Sequence, residues 1–152
     1  MKLQLPVPFY ENFPDADLEG GSHCLQAAYK SILAYFLPNK TFTWEKLDEI
    51  TGKVDGDGTW STKGLLWMQQ NGFEVQHWTC FDYERLIKIG FDYFYEIGDE
   101  DWVQYQISDT NLISETKLIK EMHKKIEIVK QVPTLENIKE LNIWMSEKAK
   151  PL

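Results

Sequence analysis

The chain has 152 residues, a length that suits one domain with a buried core, so we expect a single domain over residues 1–152. A hydrophobic content of 43% and an aromatic content of 14% exclude an intrinsically disordered chain. The formal net charge of −8 repels a phosphate backbone, and Arg85 is the sole arginine. Composition and charge therefore exclude general nucleic-acid binding.

The sequence also argues against a membrane protein and a metal site. The first residues lack the apolar run of a signal peptide, and no apolar stretch is long enough to span a bilayer. We therefore expect a soluble, cytoplasmic protein without membrane insertion. There is no CxxC or HExxH pattern, and the aspartate–glycine repeat at residues 55–58 has Leu66 where a calcium loop needs glutamate. We expect no bound metal and no cofactor.

Apolar residues at helical spacing predict three helices in the first half of the chain, after a proline-rich loop over residues 1–21. The predicted helices span residues 24–36, 44–51 and roughly 61–70. Ser22 and Thr43 are the expected N-caps of the first two helices, and Gly52 ends the second. A helical layer therefore dominates this half.

The second half of the chain mixes one predicted strand with further helices. Alternating apolar residues predict the strand over residues 73–78. The predicted helices span residues 83–89, 101–107 and 114–130, with a short one from residue 135. One strand cannot satisfy its own backbone groups, so other strands must lie in the N-terminal loop, in the middle or beyond residue 152. The predicted fold class is α+β, mainly a helical layer with few strands.

Cys24 is the residue whose position most favours chemistry. It opens the first predicted helix, three residues after the glycine pair Gly20 and Gly21. A helix N-terminus stabilises the nucleophilic thiolate, and its unbonded N–H groups can stabilise an oxyanion. The alternative interpretation is a small buried apolar residue of the helix. Cys80, which follows the predicted strand, is interpreted as a core thiol, and both cysteines as free thiols.

The sequence around Cys24 also resembles the start of a known family. The similarity keeps both order and spacing through residues 23–28, 32–36, 43–53, 59–61, 65–67 and 72–75. These segments, in roughly the first half of the chain, resemble papain-like cysteine peptidases that process double-glycine leader peptides, the bacteriocin-processing type. The resemblance implies a papain-like α+β fold with Cys24 as the nucleophile. It also implies a later antiparallel sheet that supplies a histidine and an aspartate.

Two features of that family have no direct counterpart in this sequence. The family's oxyanion glutamine precedes the cysteine, where this chain has the run DLEGG at residues 17–21. Gln26 and Asn12 are the amide candidates for that role, beside backbone N–H groups. The family's histidine-bearing strand would begin near residues 150–151, where the sequence ends. We therefore expect a longer sequence, a second chain or a homo-oligomer to complete the domain.

Three histidines and one tryptophan are the remaining candidates for a site. His23 neighbours Cys24, but adjacent residues at a helix start point in different directions, so a loop residue beside the cleft is the alternative to a base. His77 is either a base or a half-buried residue of the strand. His123 falls on a solvated helix face. Trp60, on a loop, is the candidate for a groove wall.

Two functions fit these residues. In the first, the chain is a cysteine peptidase in which Cys24 attacks a peptide carbonyl and a histidine shuttles the proton. In the second, the chain is a non-catalytic peptide-binding or protein-interaction module, a degenerate relative of such peptidases. Both functions imply a peptide or protein as the partner.

Overall fold

The computed structural model of the chain describes residues 6–12, 23–54, 59–130, 134 and 136. It is a mixed α+β protein in which helices dominate, in agreement with the predicted class. The chain divides into two compact units. The first unit comprises Met1–Thr59 with Pro133–Leu152, and the second comprises Trp60–Val132.

Two helices that pack against each other form the described core of the first unit. Helix α1 spans Cys24–Phe36 and helix α2 spans Trp44–Thr51, with the bounds that the sequence predicts. Leu33 and Leu47 are fully buried at this contact. Three predicted features fall outside the described residues, apart from residues 134 and 136: the N-cap Ser22, the loop at residues 55–58 and the short helix from residue 135.

Helix α2 begins and ends at the residues whose chemistry predicts those ends. The Thr43 side chain accepts a hydrogen bond from the Lys46 amide at 3.3 Å, which satisfies one of the unpaired N–H groups of the first turn. Gly52 adopts a left-handed conformation with φ of 75°, which closes the last turn. These local signals set the two ends of α2.

The second unit contains five helices and two strands among its described residues. Strands β1 and β2 span Gln76–Thr79 and Glu127–Lys130. The helices are α3 (Thr62–Gln70), α4 (Tyr83–Ile89), α5 (Asp92–Ile97), α6 (Glu100–Asp109) and α7 (Leu112–Lys125). Helix α5 has no counterpart in the prediction, and α6 is longer than predicted. Both helices have acidic residues in their first turn, where the helix dipole favours negative charge. Asp99 caps α6 by accepting a hydrogen bond from the Trp102 amide.

The two strands pair in parallel, with His77 opposite Ile128. Parallel neighbours cannot be joined by a tight turn, so the chain between them must cross over. Helices α4 to α7 form that crossover. Their inner faces build a core with fully buried members: Leu86, Phe94, Val103, Ile119 and Met122.

The predicted strand over residues 73–78 is shifted in the structure, because the cap of α3 uses its first residue. The Phe73 amide donates to the Met68 carbonyl, and the Gly72 amide donates to the Gln69 carbonyl. This pair of bonds is the Schellman closure, made possible by a φ of +89° at Gly72. Phe73 therefore has no amide hydrogen to offer a sheet, and β1 begins at Gln76.

The long helix predicted over residues 114–130 is wrong at its C-terminal end. Helix α7 ends at Lys125, and the following residues form β2. Ile126 is buried and continues the helical spacing of Ile119 and Met122, which explains why periodicity alone extends the helix. The branched residues Ile128 and Val129 favour a strand, and β1 provides its partner.

The described helices also bear on the membrane prediction. None of those within the described ranges is both long enough and apolar enough to cross a bilayer. The longest of them, α7, has 14 residues, whereas a span needs about 20.

We expect Thr43→Ala to lower the free energy of unfolding by about 1 kcal/mol, because the Lys46 amide loses its capping acceptor. Urea unfolding followed by tryptophan fluorescence measures the change. Thr43→Ser keeps the hydroxyl and is the matched control. Equal stability of the alanine variant and the parent chain would contradict the capping role.

Candidate functional site

Cys24 is the first residue of α1, and its side chain is exposed. The N-cap residue of this helix is His23, which makes no side-chain capping bond in the described structure. The first amide bonded within the helix is that of Ala27, which donates to the His23 carbonyl. The backbone amides of residues 24–26 therefore have no acceptor within the helix. They lie at the same end of α1 as the thiol, where the helix dipole is positive. The alternative interpretation of Cys24 as a buried residue does not hold.

His23 lies beside Cys24 in sequence but in a different environment. Its side chain is buried, with Nε2 at 3.5 Å from Oδ1 of Asp48 and the ring edge-on to Trp44 at 6.2 Å. The neighbouring thiol is exposed. Because one side chain is directed into the α1–α2 contact and the other to the surface, His23 is unsuited to take the proton of Cys24.

Gln26 has a structural role in the first unit. The residue is fully buried, and its Nε2 donates to Oγ1 of Thr51 at 2.8 Å and to Oγ1 of Thr59 at 3.4 Å. Thr51 in turn donates to the Leu47 carbonyl, so α1 is tied to the last turn of α2. An amide held in this way is not presented to a substrate carbonyl at the surface. The structure thus argues against Gln26 as an oxyanion donor.

Asn12 lies on the short segment of residues 6–12, which contacts the middle of α1. The Tyr10 amide donates to Oγ of Ser31, and the Lys30 ammonium lies 5.1 Å from the Tyr10 ring centroid. Ser31 is two helical turns beyond Cys24, which is about 10 Å along the axis. These contacts fix Tyr10 beside the middle of α1, two residues before Asn12.

Trp60 belongs to the second unit and serves mainly as part of its core. Its indole Nε1 donates to Oγ1 of Thr110 at 3.3 Å. The ring packs against Phe81 at 5.6 Å and against Phe94 at 6.3 Å. Half-burial with these partners identifies Trp60 as a wall of the aromatic core rather than an open groove.

His77 also belongs to the second unit, where it lies on β1. It is half-buried, in agreement with its interpretation as a residue of the strand. Its Nε2 lies 3.0 Å from the hydroxyl of Tyr83, the first residue of α4. Burial lowers the pKa of His77 below its usual value, so the ring is neutral at neutral pH. Burial raises the pKa of Tyr83, which remains a phenol. Both shifts oppose proton transfer between the two groups, so the bond between His77 and Tyr83 is a structural contact.

A buried carboxyl group that the sequence does not single out lies in the same unit. Glu115, in the first turn of α7, accepts a short hydrogen bond from the hydroxyl of Thr62, the first residue of α3. Burial raises the pKa of Glu115, and the bond from Thr62 partly opposes that rise. An acid at a helix start is ordinarily explained by the dipole, so the sequence gives no sign of this burial.

An open cavity of about 420 Å³ lies along β2, beside the start of α4 and the end of α7. It is lined by residues of the β1–α4 connection, α7 and β2, among them Phe81, Tyr83, Glu84, His123 and Lys130. Lys130 forms an ion pair with Asp82, which caps α4. His123 is exposed, as predicted, and its ring is edge-on to Tyr83.

The structure also places the second cysteine and the groups that could bind a metal. Cys80 is exposed, so its interpretation as a core thiol is wrong. It lies in the turn after β1, where no helix or sheet covers it. Both cysteines are free thiols, as expected. Within residues 6–12, 23–54 and 59–130, no three side chains of histidine, cysteine, aspartate or glutamate are arranged to hold a metal ion.

We expect Glu115→Gln to flatten the dependence of stability on pH. The pKa of Glu115 is raised in the folded chain from its usual value of 4.5, so its favourable contribution is complete below that value. The contribution is lost as the pH rises through the raised pKa, because a buried carboxylate must then form. Glutamine stays neutral and can still accept from Thr62.

Urea unfolding of both chains between acidic and neutral pH measures this difference. Glu84→Gln, which changes an exposed carboxylate of the same unit, is the control. If the Glu115→Gln chain loses as much stability with rising pH as the parent, the burial argument is wrong.

Comparison with known proteins gives no assignment for this geometry. No protein-family model matches the chain, and no curated protein or solved structure matches it. The peptidase resemblance therefore remains a prediction from the sequence, and the arrangement around Cys24 has to support any functional conclusion by itself.

Proposed function

We propose that the chain is a papain-like, thiol-bearing module that acts on peptides, with Cys24 as its nucleophile. The observation that carries this proposal is the exposed thiol at the first position of a 13-residue helix. A helix of this length carries a full N-terminal dipole, and its first-turn amides lack an internal acceptor. The peptidase resemblance, which centres on the same residue, adds to this.

The first-turn amides support the proposal in two ways. They place the positive end of the helix dipole beside the thiol, where it stabilises the negative charge that the sulfur carries during attack. They also supply backbone donors for the oxygen of an attacked carbonyl, which replaces the side-chain amide that Gln26 cannot provide. No acidic residue lies in this first turn to cancel the field.

The chemical step under this proposal is acyl transfer. Sγ of Cys24 bonds to the peptide carbonyl carbon, the carbon–nitrogen bond breaks, and the amine leaves with a proton. Water then cleaves the thioester and releases the acid. The proton shuttle is a histidine other than His23, since that ring is occupied by Asp48 and Trp44. His77 is engaged by the Tyr83 hydroxyl, so we propose that a second chain supplies the histidine.

A non-catalytic peptide-binding module is the second candidate function. The specific observation that favours it is that two polar residues close to Cys24 in sequence are engaged in structural contacts. His23 and Gln26 are buried and hold α1 to its surroundings, so neither assists a reaction at the thiol. A module of this kind keeps the helix and its cleft but performs no turnover.

We expect Cys24 to react with iodoacetamide about tenfold faster than Cys80 at neutral pH. Both thiols are exposed, so access is matched. Cys80 lies two residues before Asp82, whose carboxylate caps α4, whereas the N-cap residue beside Cys24, His23, makes no side-chain capping bond in the described structure. Mass spectrometry of the digested chain measures the two rates. In urea the rates should converge, and equal rates in the folded chain would contradict an activated nucleophile.

We expect Cys24→Ala to abolish any hydrolysis of a peptide library by the purified chain, by several orders of magnitude in kcat. Cys80→Ala is the matched control and should retain full turnover. Product formation is followed by mass spectrometry. Turnover that persists in Cys24→Ala would overturn the assignment of the nucleophile. Peptide binding without turnover in the parent chain, unchanged by Cys24→Ala, would establish the second candidate instead.

A further inference from the structure

Helices α5 and α6 expose an aromatic surface that no role described so far explains. Tyr95, Trp102 and Tyr105 are 49%, 38% and 48% exposed, and Ile97 is 48% exposed. Large apolar side chains that cluster at a surface commonly mark an interaction site. We call these four residues, together with the carboxylates around them, the α5–α6 surface.

Two helices contribute the aromatic residues of this surface. Gln104 of α6 donates from Nε2 to the Tyr95 hydroxyl at 3.0 Å, which links the two helices. Trp102 packs edge-on against the buried Phe94 at 5.6 Å. Tyr105 follows Trp102 by three residues and so lies next to it on the helix face. Trp102 and Tyr105 therefore form an aromatic pair on α6, and Tyr95 of α5 joins the surface through Gln104.

Acidic side chains surround these rings. Residues 91–106 contain five acidic side chains and no lysine or arginine. These are Asp92, Glu96, Asp99, Glu100 and Asp101. Glu96 is paired with Arg85 of α4, and Asp99 caps α6. Glu100 accepts a hydrogen bond from Gln104 at 2.9 Å, and both Glu100 and Asp101 bring negative charge to the helix that carries Trp102 and Tyr105. The surface combines π-faces with carboxylates, both of which attract cations.

The Trp102 ring is held in place by the backbone beneath it. A side-chain carbon at Gly98 would overlap the six-membered ring of Trp102, so the indole lies directly over this glycine. Gly98 has a negative φ of −136°, so the glycine is needed here for space rather than for an unusual backbone angle. A ring fixed before binding loses little freedom on binding.

We propose that the α5–α6 surface binds an extended, lysine- or arginine-rich segment of a partner protein. Cationic side chains would lie over Trp102 and Tyr105, while Glu100 and Asp101 balance their charge. Helix α6 has 10 residues and is about 15 Å long, which an extended segment of four or five residues covers. This binding is independent of Cys24.

Other partners fit the surface less well. A nucleic acid is repelled by the carboxylates. A neutral apolar partner would have to cover those carboxylates without replacing their hydration. A second copy of the chain is the main competitor, because Lys117, Lys120 and Lys124 line one groove on α7. Those lysines are fixed on a helix beside the exposed Ile113, which limits how closely they can approach the rings of α5 and α6. An extended segment can adjust its shape to those rings.

A short fluorescein-labelled peptide of alternating lysine and glycine tests the proposal by fluorescence anisotropy with the full chain. We expect saturable binding that weakens as salt is raised and is absent for the matching glutamate–glycine peptide. Tyr105→Ala should weaken binding about two- to fivefold, the size of an exposed cation–π contact. Asp101→Asn should weaken it about twofold and reduce the dependence on salt.

Matched controls exist in the first unit. Phe9 is an exposed aromatic residue and Glu11 an exposed carboxylate, so Phe9→Ala and Glu11→Gln remove the same chemistry outside the α5–α6 surface. Both variants should bind the peptide as the parent does. Gly98→Ala adds a test that removes no binding group, since it should weaken binding only by displacing the Trp102 ring.

The outcomes separate this proposal from its competitors. Weakening by the surface variants alone, with Cys24→Ala unaffected, supports a basic partner whatever the activity of the thiol. Equal weakening by the Phe9→Ala or Glu11→Gln controls, or equal binding of the glutamate peptide, overturns it. Sedimentation that shows self-association sensitive to Tyr105→Ala and to Lys120→Ala, without peptide binding, also overturns it in favour of a second copy.

Discussion

The parallel pairing of two four-residue strands is the constraint on which the second unit depends. Because β1 and β2 run in the same direction, the chain has to travel back along the unit after Thr79 before it can begin β2 at Glu127. That return is made of α4 to α7, whose inner faces provide most of the core. The ion pair between Lys130 and Asp82 then joins the end of β2 to the start of α4. The cavity and the α5–α6 surface are both products of this crossover.

Local chemistry decides which parts of the fold can be predicted. The bounds of α1 and α2 follow from residues at their own ends, such as Thr43 and Gly52, and agree with the structure. Strand β2 cannot be predicted from local signals, because Ile126 continues the helical spacing of α7. Only the pairing with β1 makes the residues after Ile126 a strand. Phe73 shows the same limit: a helix cap takes its amide, although its side chain fits a strand pattern.

In the candidate site too, the features set by local signals can be predicted and those set by tertiary contacts cannot. The position of Cys24 at a helix start can be predicted, because glycines before it and apolar spacing after it are local signals. The burial of Gln26 cannot, since its partner Thr51 lies 25 residues away on another helix. His23 likewise depends on Asp48. Sequence reasoning finds the nucleophile candidate but assigns its neighbours roles that their tertiary contacts do not support.

The opposed directions of His23 and Cys24 have an evolutionary consequence. Among the described residues, the contacts that hold α1 in place are made by its buried side chains, including Gln26 and Leu33, whereas the thiol is exposed. Position 24 can therefore exchange its side chain without disturbing the scaffold. A lineage built on this helix could gain or lose thiol chemistry in one step, while selection on folding continues to act on the residues around it.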